Sequence, residues 1–150
     1  MNSNPRVWPP ELSSTLQDDL RKWCFLWQVS ELLPEISVSI SRRMTSSLGR
    51  ASYRRKHVGL QHTLLDPSAA ELLREVLCHE VAHLAAYELH GTTIRPHGRE
   101  WRALLIAAGY PARATIEAAT LPTCFGVRTT RRRRRVRHSP WKAIARWIRG

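Results

Sequence analysis

Cysteine is scarce and scattered in this chain. Cys24, Cys78 and Cys124 are the whole complement, an odd number with no C-x-x-C pair, which argues against a disulfide framework. Long hydrophobic runs are missing too. No apolar stretch approaches the roughly 18 residues of a membrane-spanning helix, and the first residues lack a basic-then-apolar leader. The expectation is an intracellular protein with reduced thiols, cytoplasmic or nucleoid/nuclear. Acidic residues are absent from the C-terminal part. From residue 118 onward there are ten Lys or Arg and no Asp or Glu, whereas residues 1–117 carry 14 basic against 12 acidic residues. Nearly all of the net charge of +12 therefore sits in a tail. Such a tail calls for a polyanionic partner, with nucleic acid ahead of an anionic membrane. No internal repeat is visible.

What is present fits one folded domain. The chain has 150 residues and is 43% apolar, enough for a compact core. Residues 1–10, with three prolines, read as an extended lead-in; residues 11–120 as the domain; residues 121–150 as a basic tail. From Glu11 to Leu33, Leu12, Leu16, Leu20, Trp23 and Trp27 recur at spacings of three and four. That predicts an amphipathic helix stopped by Pro34, with both tryptophans as core anchors. Ile36, Val38 and Ile40, then Val58, Leu60, His62 and Leu64, alternate with other residues at period two. They predict a β-hairpin or small meander around a wide basic turn holding Arg42, Arg43, Arg50, Arg54, Arg55 and Lys56. That turn reads as a solvated face, with a phosphate-contacting rim as the alternative.

A central helix is expected from about Ser68 to Leu89. Ser68 and Glu71 form an S-x-x-E capping box, and Gly91 is the stop. Trp101, Leu104, Leu105 and Ala108 mark a further helix, ended by Gly109 and Pro111. Residues 112–127 carry weak signals. Arg131–Arg135 should be solvated and extended, and the last ten residues place Trp141, Ile144, Ala145 and Ile148 on one helical face.

The central helix carries the chemistry. His79-Glu80-Val81-Ala82-His83 is an H-E-x-x-H motif. Residues four apart share a helix face, so both imidazoles can aim at one metal ion. Zinc takes neutral imidazole nitrogen in tetrahedral sites. Glu80 sits where it can reach a metal-activated water without binding the metal, the centre of a metal-dependent hydrolase, most often a protease. A catalytic zinc needs a third protein ligand. His90 lies about two turns beyond His83, roughly 10 Å along the axis. His97 follows a loop that can turn back toward the metal, so His97 is favoured. Tyr87 continues the histidine face by one turn, either as a hydrogen-bond donor to a developing oxyanion or as a packed core tyrosine. Glu100 reads either as an outer partner of a ligand histidine or as half of a surface ion pair. Cys78 reads as a small buried residue. His57, His62, His90 and His138 have no partner at ligand spacing.

Leu77-Cys78-His79-Glu80-Val81-Ala82-His83 followed by His97-Gly98-Arg99-Glu100-Trp101 resembles the SprT-like (Spartan-related) zinc metallopeptidases. That family pairs H-E-x-x-H with a later H-G-x-E-[aromatic]. Ser41-Arg42-Arg43-Met44-Thr45 and Leu48-Gly49-Arg50-Ala51 are similar to its strand-and-turn region, so the resemblance covers about residues 10–115. It implies an α+β, zincin-like metalloprotease domain with three main helices and a small antiparallel sheet. It further implies one Zn2+ on His79, His83 and His97, and Glu80 as general acid/base. Family members are associated with DNA, and the eukaryotic ones cleave proteins crosslinked to it. Many carry a four-cysteine zinc ribbon after the catalytic part. Here Cys124 stands alone, so no second zinc is expected and any DNA contact falls to the tail, at Arg128, Arg131, Arg132, Arg133, Arg134, Arg135 and Arg137. Two other readings stay open: a low-turnover nucleic-acid-binding or regulatory protein that keeps the fold, and a protease addressed to anionic membrane by its tail.

Overall fold

The computed structural model describes residues 8–116 and 121–125. Its three helices and one small sheet make an α+β domain. Helix α1, Ser14–Leu26, buries Leu16, Leu20, Trp23 and Cys24 along one stripe. It ends well before Pro34. Gln28 adopts φ 58°, the Gln28 N–H returns to the Phe25 carbonyl, and the Val29 N–H to that of Cys24. That is a Schellman close with glutamine in the left-handed position where glycine is usual. A single 3₁₀ turn, Ser30–Leu32, follows, so the expected helix to Leu33 is two elements. Trp23 and Trp27 are buried and stacked, with ring centroids 6.4 Å apart. The Trp27 indole N–H donates to the Leu104 carbonyl at 2.9 Å.

The sheet has three strands in the order β1-β3-β2: β1 Ser37–Ser41, β2 Gly49–Ser52 and β3 His57–Gln61. β2 and β3 form the antiparallel hairpin. β1 instead runs parallel to β3, with Val38 beside Val58 and Ile40 beside Leu60. The sheet is thus mixed, which corrects the antiparallel expectation. The reason lies in the segment read as a wide turn: its second half is itself a strand and takes the other edge of β3. β3 stops at Gln61, and His62–Leu65 form a 3₁₀ turn rather than a continuation of the strand. Arg42, Arg43, Arg50, Arg54 and Arg55 are exposed. Lys56 pairs with Glu88 and lies over the Tyr53 ring.

Helix α2, Ala70–His90, is the axis of the domain, buried on all sides from Val76 to Ala86. An apolar helix enclosed by other elements behaves in this way. β2 and β3 cover one side, α1 and α3 others. The Ser68–Glu71 capping box does not form. Asp66 is the cap, and its carboxylate accepts from the Ser68 N–H at 2.9 Å and the Ser68 hydroxyl at 2.6 Å. Pro67–Ala69 then makes a 3₁₀ turn leading into α2, so Ser68 is spent on Asp66. Gly91, at φ 79°, closes α2. Helix α3, Arg99–Ala107, buries Trp101, Leu104 and Leu105, and Gly109 at φ 82° ends it. Arg113 then ties the chain back to α2 through a two-pronged bridge to Glu75, both contacts 2.8 Å. The tail arginines from Arg128 to Arg137 and the apolar face from Trp141 to Ile148 lie outside the described residues.

Candidate metal centre

Two adjacent turns of α2 and the entry to α3 build the site. His79 and His83 lie on one face of α2. The loop after Gly91 then brings His97, just ahead of the first turn of α3, onto that face. The three Nε2 atoms converge: His79–His83 3.3 Å, His83–His97 3.1 Å and His79–His97 3.3 Å. Three nitrogens bound tetrahedrally to one zinc at about 2.0–2.1 Å would stand about 3.3–3.4 Å apart. The triangle has the size of a metal site.

Hydrogen bonding alone cannot account for this cluster. Each Nε2 of a neutral imidazole is either a donor or an acceptor. With three atoms in mutual contact, at least two must be alike, and like groups repel at 3.1–3.3 Å. A cation shared by three lone pairs resolves the conflict. Protonation does not, because the site suppresses it. Burial, then the neighbouring His83 and His97, pushes the His79 pKa down to about 2. Burial and then His97 push that of His83 down to about 3. Both rings stay neutral, which is the form that binds metal. His83 also bonds the backbone of Pro96. Proline has no N–H, so the imidazole must donate to its carbonyl, which leaves the other ring nitrogen as a lone pair.

Trp101 forms the wall behind the histidines, fully buried. Its ring meets those of His79 at 4.6 Å and His97 at 4.7 Å edge-on, and stacks on His83 at 5.4 Å. Its indole N–H donates to the His79 carbonyl at 3.2 Å. Sequence reasoning placed Trp101 among the apolar positions of α3 and at the aromatic end of the H-G-x-E-[aromatic] run, and gave it no role at the metal site. The available signal was its fixed place four residues after His97, at the start of the helix that His97 leads into.

Glu80 is 3% exposed, beside His79 on α2, and its side chain lies against β2 at Gly49. The structure does not bring His90 into the cluster; it is exposed at the end of α2. Tyr87 packs edge-on against Tyr53 at 5.6 Å. The Tyr53 hydroxyl donates to Glu88. Glu100 accepts from Arg99 at 3.2 Å, and its carboxyl is held below the usual range first by its own backbone N–H and then by Arg99. Cys78 is fully buried, and burial pushes its thiol well above the ordinary range. His57 bonds two serine hydroxyls of β1, Nδ1 to Ser37 at 2.8 Å and Nε2 to Ser39 at 2.9 Å.

Fold and site together define an α+β domain with a helix-borne three-histidine centre that can hold a metal ion. A model of the SprT-like family matches residues 15–120, and the chain belongs to that family. Relatives named Protein SprT share 33% identity over 73 residues in Vibrio parahaemolyticus, covering 49% of this chain and 42% of that protein. In Escherichia coli O1:K1 / APEC the identity is 35% over 83 residues, covering 55% and 49%. In Pseudomonas fluorescens it is 28% over 102 residues, covering 65% and 57%. The chain thus spans about half the length of these relatives. No solved structure matches. Among the described residues, no helix is long and apolar enough to cross a membrane.

Proposed function

We propose that this chain is a zinc-dependent endopeptidase, with His79, His83 and His97 as ligands and Glu80 as general base, and that it acts on DNA-associated or DNA-crosslinked proteins. The observation that carries the reading is the convergence of three histidine Nε2 atoms, with a buried glutamate that is not one of the three next in sequence to His79. When bound, zinc supplies Lewis-acid chemistry, activating a water and polarising a carbonyl. The protein's own groups do the rest. Neutral imidazoles offer three lone pairs and leave the fourth position open. Trp101 fixes the rings and screens them from solvent. Glu80 accepts the proton of the attacking water and delivers it to the leaving amine. The tail, with ten basic and no acidic residues after Glu117, is the element proposed to hold DNA.

The test is cleavage of a DNA-bound protein, with and without DNA, by the zinc-loaded chain and by Glu80→Gln. The substitution keeps the shape and removes the base. Zinc should remain while cleavage falls at least about a hundredfold. Unchanged cleavage with zinc bound would sink the mechanism. Cleavage that ignores DNA, together with tail-dependent binding to anionic vesicles, would favour the membrane-addressed reading.

A further inference from the structure

Gly49 opens β2 as a buried residue, and nothing about its backbone asks for glycine. Among the described residues, the glycines with positive φ are Gly91 and Gly109. A glycine inside a strand costs stability and commonly marks a place where something approaches the backbone closely. Here that is Glu80. A Cβ on residue 49 would stand 2.8 Å from Glu80 Cγ, 2.9 Å from Glu80 Oε1 and 2.9 Å from Val76 Cγ1. These distances are shorter than real Cβ contacts, and neither neighbour can swing away: Glu80 is 3% exposed and Val76 fully buried. Gly59, on the neighbouring β3, is different. Its Cβ would meet Met44 Cε at 3.4 Å and the Arg50 carbonyl at 4.0 Å, ordinary contacts. The sheet therefore requires glycine at 49 and tolerates a side chain at 59.

The backbone of Glu80 is fixed by the packing of α2, so its carboxylate can be aimed only through its side-chain torsions. We infer that Gly49 is a positioning residue: its bare backbone forms the slot in which the side chain of Glu80, the residue next to His79, lies. The role rests on Glu80 being the base. A small misplacement of such a group is expensive, roughly a hundredfold for about 1 Å.

The experiment compares Gly49→Ala, with Gly59→Ala as the control, in the full chain. Zinc content should stay with the wild type, KM should hold, and kcat on a DNA-bound test protein should fall roughly tenfold to a hundredfold. The shorter Glu80→Asp should cost less activity in the Gly49→Ala background than in the wild type, because the added methyl fills the gap it leaves. A second readout needs no activity. In melting-temperature cycles, Gly49→Ala should cost less when Glu80→Ala is also present. Additive melting shifts, or a kcat matching the wild type, would overturn the inference. If Gly49→Ala alone does not fold, recovery on adding Glu80→Ala supports the slot, while recovery only on adding Val76→Ala refutes it. If the zinc-loaded wild type cleaves nothing, the peptidase reading falls, and the melting cycle still decides the contact.

Discussion

Replacing Trp101 by phenylalanine tests whether the wall behind the histidines matters for the metal as well as for the fold. Two losses follow from the structure. The buried indole N–H to the His79 carbonyl, 3.2 Å, is worth about 1 kcal/mol net. Shrinking indole to phenyl at a fully buried position leaves a void of roughly 40 Å³, which adds about 1 kcal/mol at the usual cavity cost. The sum of about 2 kcal/mol should lower the melting temperature of a domain this size by roughly 6–10 °C. Because the ring contacts all three ligand imidazoles, zinc affinity should fall as well, by roughly tenfold or more, as for other groups that orient ligands. Thermal melts with zinc and with chelator, plus competition against a zinc indicator, measure both. Trp27→Phe is the control. Trp27 is similarly buried and also donates to a carbonyl, that of Leu104, but it stacks on Trp23. It should destabilise without weakening zinc. Trp101→Phe with wild-type zinc affinity would refute the account of the wall, whatever its melting temperature.

Metal analysis of the purified chain should give about one zinc per molecule, largely lost in His97→Ala and kept in His90→Ala; the reverse pattern would displace His97 as third ligand. A chain ending after Phe125 should keep its zinc and its fold and lose most DNA binding together with the steep salt dependence that phosphate contacts bring; undiminished binding would move the interface to the exposed arginines between Arg42 and Arg55. His57 is held below its ordinary pKa, first by burial and then by Arg55. A histidine with a lowered folded pKa stabilises fully above its unfolded pKa, about 6.5, and less as pH falls. The melting temperature of the zinc-loaded chain should therefore drop between roughly pH 7 and 5, and less so in His57→Gln; parallel curves would rule out His57 as the cause.

Sequence patterning captured what depends on helical period and missed what depends on a partner. α2 and α3 were legible because apolar residues recur at three and four and because Gly91 and Gly109 take the stop positions. The end of α1 was not, since a left-handed Gln28 closes it where a glycine signal was absent. The capping box failed for a similar local reason: Asp66, two residues before Ser68, competes for the same hydroxyl and N–H groups and wins. β2 escaped the periodicity reading because Gly49-Arg50-Ala51-Ser52 shows no apolar alternation, although Leu48–Ala51 resembles the family's strand-and-turn region. Its pattern is set by contact with α2 on one side and by pairing with β3, and without β2 the parallel register of β1 on β3 could not be inferred.

The site divides along the same line. His79 and His83 need only the i, i+4 geometry of one helix, and His97 needs only a loop long enough to turn back, so local rules reach all three. The groups that hold those side chains in place come from elsewhere in the chain. Trp101 reaches the rings only because α3 docks on α2. Pro96 accepts from His83 only because the loop closes. Gly49 meets Glu80 only because the edge strand crosses α2 at that turn. On the proposed reading, metal affinity and catalytic alignment depend on how α2 is enclosed, so substitutions on β2 and α3 should alter them without replacing any of the three histidines.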